Sequence, residues 1–269
     1  MEFLCYKLVM KDIQNLKDNR NVDIQKVGIK HLELPLIIQR KNSSNQIVCA
    51  KARVNVSLPR DYKGTHMSRF VEVLTEWQNK NLLGVDIKGC LEKIINNLDA
   101  QSGELEFKFT YFINKKSPVK QMSAPMSYHC SFEGRIENGN YKFILGVEVP
   151  VTTLCPCSKE ISDNGAHNQR AFIKVKVSYD ESEQVWLEDL IELIENCASC
   201  PVYPLLKRED EKFVTEKAWN NPKFVEDVLR DVVVKLREHK IIKEFEVECE
   251  AFESIHNHSA WAFQHEFKD

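Results

Sequence analysis

The sequence predicts an α+β protein of two tandem modules, each an antiparallel sheet with two helices packed on one face. Three observations predict it. Apolar residues recur at every second position, the mark of a half-buried strand, over 47–58, 105–112, 127–137, 141–153, 171–179, 245–253 and 260–267. Stripes of helical period cover 67–78, 86–98, 186–197 and 222–239. The order strands, two helices, strands then occurs twice, on either side of the linker NKKSPVKQMSAP.

In the first module, residues 1–120, IVCAKARVNVSL puts Val48, Ala50, Ala52, Val54, Val56 and Leu58 on one strand face. Phe70, Val73, Leu74 and Trp77 stripe its first helix, and 86–98 forms the second. LEFKFTYF then turns Leu105, Phe107, Phe109 and Tyr111 the same way. In the second module, residues 121–269, Tyr141, Phe143, Leu145, Val147, Val149 and Val151 share a strand face. Its helices are striped by Leu187, Leu190, Ile191 and Ile194, and by Phe224, Val228, Leu229, Val232 and Leu236. FEVECEAFE and AWAFQHEF are the closing strands.

Composition bounds the function. The 269 residues carry 37 Lys and Arg against 40 Asp and Glu, a formal charge of −3, which argues against a nucleic-acid-coating surface. No apolar run approaches the roughly 20 residues of a membrane span, and MEFLCYKLVMKDIQ is too interrupted by charge for a secretory signal. Nine cysteines at irregular spacings fit reduced thiols better than a disulfide framework. The expectation is a cytoplasmic protein.

The stretch with the most chemistry is VPVTTLCPCSKEISDNGAHNQRAFIKVKV, 149–177. It joins two strands by a loop with thiols at one mouth and an imidazole at the other. Adjacent strands lie about 4.8 Å apart, so a Cys leaving one and a His entering the next can converge on one cation. Spacing leaves Cys155 and Cys157 as alternatives, and a purely structural Cys–His pair fits the same spacing. Glu226 precedes Leu229 by three and Val233 by seven, at the edge of the last helix's apolar stripe, where a carboxylate needs donors. Glu253 continues the inward parity of Phe245, Val247, Cys249 and Ala251, an acid where an apolar residue is expected. His256 follows in a turn, placed for proton transfer near neutral pH. CASC at 197–200 lies at a helix C-terminus with no second C-x-x-C, which suits neither a zinc knuckle nor a redox dithiol.

CPCSKEIS followed by GAHNQR resembles the signature of GTP cyclohydrolase I type B, the metal-dependent branch of the tunnelling-fold superfamily. KGTHMSRF, PVYPLLKREDEKFVTE, NPKFVEDVLRD and FESIHNHSAW resemble that family in the same order. The resemblance implies tandem tunnelling-fold modules, GTP as substrate, and a divalent metal (zinc, manganese or iron) held by Cys155, His167 and Glu211. A carboxylate ligand leaves room for water. Where this chain has Glu209 the family often has Pro, which makes Glu209 a rival to Glu211. The resemblance further implies Glu226 as guanine anchor, Cys155, Glu253 and His256 as catalytic residues, and His66, Arg69 and Arg170 among the substrate-binding residues. Lys159, Lys207 and Arg208 are further candidates for the triphosphate. It also implies a homotetramer with sites between subunits. Two alternatives stand beside it: an iron-dependent relative giving a cyclic phosphate, and a non-catalytic purine or pterin binder.

Overall fold

The computed structural model describes residues 13–268 except Asn15 and Leu83. The first half holds β1 (Ile24–Ile38), β2 (Gln46–Leu58), α1 (Met67–Trp77), β3 (Asn81–Leu82), α2 (Gly84–Asn97), β4 (Gly103–Lys116) and β5 (Ser123–Glu137). After it come β6 (Asn140–Leu154), α3 (Pro156–Ile161), β7 (Asn168–Tyr179), α4 (Leu187–Glu195) and β8 (Cys200–Pro201). The chain closes with α5 (Arg208–Asn220), α6 (Val225–Glu238), β9 (Ile242–Ala251) and β10 (Ala260–Phe267).

The long strands form one sheet in the order β10-β9-β7-β6-β5-β4-β2-β1, with short β3 parallel to the end of β1 and β8 beside β6. The order strand, strand, helix, helix, strand, strand appears twice along the chain, as β1-β2-α1-α2-β4-β5 and as β6-β7-α4-α6-β9-β10. The β5–β6 turn between them has Asn138 at φ 51° and Gly139 at φ 78°, the left-handed pair that a two-residue hairpin turn requires.

Helices α1, α2, α4 and α6 cover one face, and the buried rows of the inner strands point at them, whereas on β10 Trp261, Phe263 and Phe267 point the other way and are exposed. Tyr111, Phe107, Phe245 and Phe70 are fully buried in a single cluster that runs through both halves. Across the other face, charges pair between strands: Lys174 with Glu248 at 2.7 Å, Arg53 with Glu106 at 3.2 Å, Lys176 with Glu246 at 3.6 Å. The period-two rule thus sorts each strand into a wet side and a dry side.

Three segments depart from the expectations. The stretch 114–125 is no linker: Asn114–Pro125 and Lys115–Ala124 pair as the end of the β4–β5 hairpin, and the Ser117 amide donates to the Met122 carbonyl at 2.9 Å. The expected boundary at 120/121 falls within this turn. Residues 208–220, which lie outside the expected helices, form α5, which buries only Asp210 and Ala218. β1 has no counterpart in the expectations, because register shifts between Ile24 and Val27 and between Ile29 and Leu32 break its alternation.

Candidate active site

The β6–β7 connection is built from its two ends. The Cys155 amide donates to the His167 carbonyl at 3.0 Å, extending the ladder one rung past the Leu154–Asn168 pair. Pro156 then opens α3 at its first position, where the missing N–H costs nothing, with Cys155 as N-cap. The Ser158 amide donates to Cys155 Sγ at 3.4 Å, and Ser158 Oγ accepts the His167 amide at 3.2 Å. Gly165 at φ 85° lets the loop return. Thiol and imidazole therefore share one corner, held by backbone. Cys157 is exposed on α3.

The His167 ring has one close partner. Its Nδ1 lies 3.0 Å from Gln169 Oε1 and 3.7 Å from Glu253 Oε2, the second too long for a hydrogen bond. Gln169 Nε2 donates to Thr153 Oγ1 at 3.1 Å and to Glu253 Oε1 at 3.5 Å. Glu253 thus joins the corner, as its parity suggested, although β9 ends at Ala251. Gln169 and Thr153 were missed, yet the same signal marks them. Thr153 continues the buried row Val147, Val149, Val151 of β6, and Gln169 begins the buried row Ala171, Ile173, Val175 of β7. Three polar residues end three adjacent apolar rows.

A cavity of about 570 Å³ opens beside this corner, lined by Gly165, Asn168, Gln169 and Arg170 on one side and by Val214, Thr215 and Ala218 of α5 on the other. Glu211 precedes Val214, Thr215 and Ala218 by three, four and seven residues, so it stands on the face of α5 that lines the cavity, one turn toward its start. Its side chain is exposed. Glu209 is engaged elsewhere: Lys120 Nζ lies 2.7 Å away, and that hydrogen bond lowers the Glu209 pKa. Asp210 anchors the helix. Fully buried, it accepts from the amides of Val119 at 2.8 Å, Lys120 at 2.9 Å and Lys207 at 3.0 Å.

The remaining candidates are not gathered here. His256 is exposed, its ring stacked on His258 with centroids 5.0 Å apart. Glu226 is exposed in the first turn of α6 rather than set at the stripe's buried edge, since Val225 and Val228 occupy the buried positions of that turn. Arg69 and His66 line a separate cavity of about 230 Å³ at the start of α1, where Arg69 Nη1 donates to the Asn97 carbonyl at 2.8 Å. Arg170 is exposed at the rim of the larger cavity. Lys159 is held by the Trp219 carbonyl and lies over that indole. Lys207 and Arg208 are exposed at the start of α5.

Among the described residues, no three His, Cys, Asp or Glu side chains stand together closely enough to hold a metal ion. The donor chemistry at the corner nevertheless fits one. The Gln169 amide group that faces the Glu253 carboxylate, an acceptor, must be NH₂, so its Oε1 faces His167 and Nδ1 carries the proton. Nε2 is left with the lone pair a metal needs. A thiolate and an imidazole so oriented, joined by a carboxylate from α5, would make a set that suits zinc, iron or manganese.

The sheet order with helices on one face defines a tunnelling-fold protein. A uricase from Bacillus fastidious shares it at TM-score 0.55 and 8% identity, over 91% of this chain and 93% of that one. The uricase of Arthrobacter globiformis does so at TM-score 0.53 and 8% identity, over 91% and 94%. Such low identity speaks for the fold alone. The family model described as "Type I GTP cyclohydrolase folE2" matches residues 10–262, and the chain belongs to that family. Among relatives named GTP cyclohydrolase FolE2, that of Thermosipho africanus is 50% identical over 256 residues, 94% of this chain and 96% of its own. That of Magnetococcus marinus is 47% identical over 258 residues, 96% of each chain.

Proposed function

We propose that the protein is a GTP cyclohydrolase that opens the imidazole ring of GTP at C8, releases formate and yields 7,8-dihydroneopterin triphosphate. The observation that supports it most is the Cys155–His167 corner, with Gln169 and Glu253 behind it and the 570 Å³ cavity in front. Cys155 Sγ, His167 Nε2 and Glu211 would hold one divalent metal (zinc, manganese or iron), which supplies a water acidified toward neutral pH. Glu211 would come to the corner from the side of α5 that it shares with Val214 and Ala218. Glu226 accepts the N1–H and exocyclic amine of guanine, two parallel donors that match a carboxylate. Glu253 and His256 hand protons to the ring nitrogens as the C8–N bonds break and the carbon leaves as formate.

Glu226, His256, His66 and Arg69 serve the site of a neighbouring copy in a cytoplasmic homotetramer, which accounts for the exposure of Glu226, His256 and Arg69 in the single chain. Arg170 at the cavity rim meets the triphosphate. No helix among the described residues is long and apolar enough to cross a membrane.

The test incubates metal-free protein with GTP and each metal in turn, reading formate and a fluorescent pterin. Formate with a linear triphosphate product supports the proposal. Formate with a cyclic phosphate points to the iron-dependent alternative, and GTP binding without formate to a silent binder.

A further inference from the structure

We infer that Gln169 is a positioning residue that fixes which nitrogen of His167 carries the proton, and keeps that proton away from Glu253. The inference rests on the functional reading above for its purpose, and on the hydrogen bonds alone for its geometry.

The argument starts from Thr153. It stands directly across the β6–β7 ladder from Gln169, and its Oγ1 accepts from Gln169 Nε2 at 3.1 Å. Glu253 Oε1, 3.5 Å from the same nitrogen, can only accept from it. The Thr153 hydroxyl would bond either end of the amide, so it is the Glu253 carboxylate that turns the amide oxygen toward the imidazole, 3.0 Å from Nδ1. An amide oxygen only accepts, so Nδ1 must donate, and in the neutral imidazole Nε2 is the unprotonated nitrogen. Gln169 is nine-tenths buried, so no water competes for this contact on equal terms.

A neutral amide here separates two roles. The Glu253 carboxylate lies 3.7 Å from Nδ1, close enough to attract the proton but too far to bond it. Were it the direct partner, His167 and Glu253 would share one proton, and neither would be free for separate work. With Gln169 between them, His167 presents a lone pair to the corner while Glu253 keeps Oε2 for substrate. Losing a group that orients a ligating histidine typically weakens metal affinity by about 10- to 100-fold.

Three measurements on the full chain test this. Nitrogen-15 spectra of metal-free, histidine-labelled protein should show His167 as the Nδ1–H tautomer, and Gln169→Leu should show a mixture. Zinc and manganese affinity, read by competition with a chromophoric chelator, should fall about 10- to 100-fold in Gln169→Leu. Gln169→Glu, which retains an acceptor toward Nδ1, should retain affinity within a few-fold of wild type, while its formate release falls because its charge repels Glu253. If Gln169→Leu does not fold, Thr153→Val, which removes only the amide's anchor, should shift the tautomer population the same way. An Nε2–H tautomer in the wild type, or unchanged affinity in Gln169→Leu, overturns the inference. Absence of GTP turnover with the tautomer and affinity effects intact would overturn the functional reading and leave this one standing.

Discussion

Thr153 and Gln169 face each other across the β6–β7 ladder and are joined side chain to side chain, Nε2 to Oγ1, at 3.1 Å. Both lie at positions where the sheet's inward rows are otherwise apolar. A hydroxyl and an amide so placed cost stability unless they satisfy each other. They do, and the amide oxygen left over is aimed at His167. The dry face of the sheet thus ends in a polar patch where the cavity begins.

Removing either backbone-held donor should abolish turnover without unfolding the chain. Cys155 and His167 sit at strand ends, half-buried, outside the main apolar cluster. Cys155→Ala and His167→Ala are expected to lose formate release to below about 1% of wild type, and to lose stoichiometric metal binding. Their Tm values should stay within about 4 °C, the shift that roughly 1 kcal/mol gives a chain of this size. Retained turnover in either variant would sink the assignment of the corner.

Glu209 and Glu211 of α5 are distinguishable. Glu209 is tied to Lys120 on the wet side of the helix, and Glu211 shares the cavity-lining face. Glu211→Ala should therefore weaken metal binding and stop formate release. Glu209→Ala should leave both within about twofold of wild type, since an exposed ion pair contributes little. The reverse pattern, measured by metal titration and formate assay together, would assign the ligand to Glu209.

The corner was legible in sequence because its two donors flank one hairpin, and period two locates both strands. β6 and β7 lie within three residues of the expected spans, since their buried rows, Val147 to Val151 and Ala171 to Tyr179, are unbroken. α5 was not legible because REDEKFVTEKAWN buries so little that no apolar stripe exists. A carboxylate, Asp210, anchors it instead, and tertiary hydrogen bonds leave no periodic trace. β1 was hidden by its register shifts and by His31 at φ 63°. Glu226 could not be set against the corner, because exposure on α6 is decided by what covers it, not by helical phase.

Asp210 should make stability depend on acid pH. Burial raises its pKa, but the amides of Lys120, Lys207 and Val119 and the Ser117 hydroxyl outweigh that and lower it below the ordinary 3.8. A carboxyl depressed in the folded state stabilises the protein above its unfolded pKa, and that stability is lost as pH falls through the folded one. At neutral pH, Asp210→Asn should lower Tm by on the order of 5–10 °C. The Tm gap from wild type should hold above pH 4 and narrow below it. A gap constant from pH 7 to pH 3 would contradict the depressed pKa.

Lys115 and Glu195 form a part of the core that tolerates loss of both partners better than loss of one. Their charges lie 2.7 Å apart with little exposure, and Tyr128 donates its hydroxyl to Glu195 at 2.7 Å. Burial pulls the Lys115 pKa below its usual value even though Glu195 opposes it. Lys115→Met strands a buried carboxylate and should cost about 3 kcal/mol, a Tm drop of about 6–12 °C. Lys115→Met with Glu195→Leu should recover part of that. A double variant as unstable as the sum of the singles, by urea or thermal unfolding, would show the pair to be uncoupled.

Thiol labelling separates the exposed cysteines from the C-x-x-C pair. Burial pushes the Cys197 thiol up to about 11 and those of Cys90 and Cys249 up to about 12, and it raises Cys200 as well. At pH 8 a thiol with pKa near 11 is ionised in only about one molecule per thousand, and the thiolate is the reactive form. Cys49 and Cys157 are exposed, open to a reagent in solution. An aromatic disulfide reagent should therefore modify Cys49 and Cys157 first, with Cys197 and Cys200 reacting only after denaturation, as mapped by mass spectrometry. Cys155, half-buried at the corner, should react in metal-free protein and be protected by zinc, since a coordinated sulfur is no longer a free nucleophile. Fast native labelling of Cys197 and Cys200 would revive a redox role for the dithiol. Labelling of Cys155 that zinc does not slow would instead remove its sulfur from the set of metal donors.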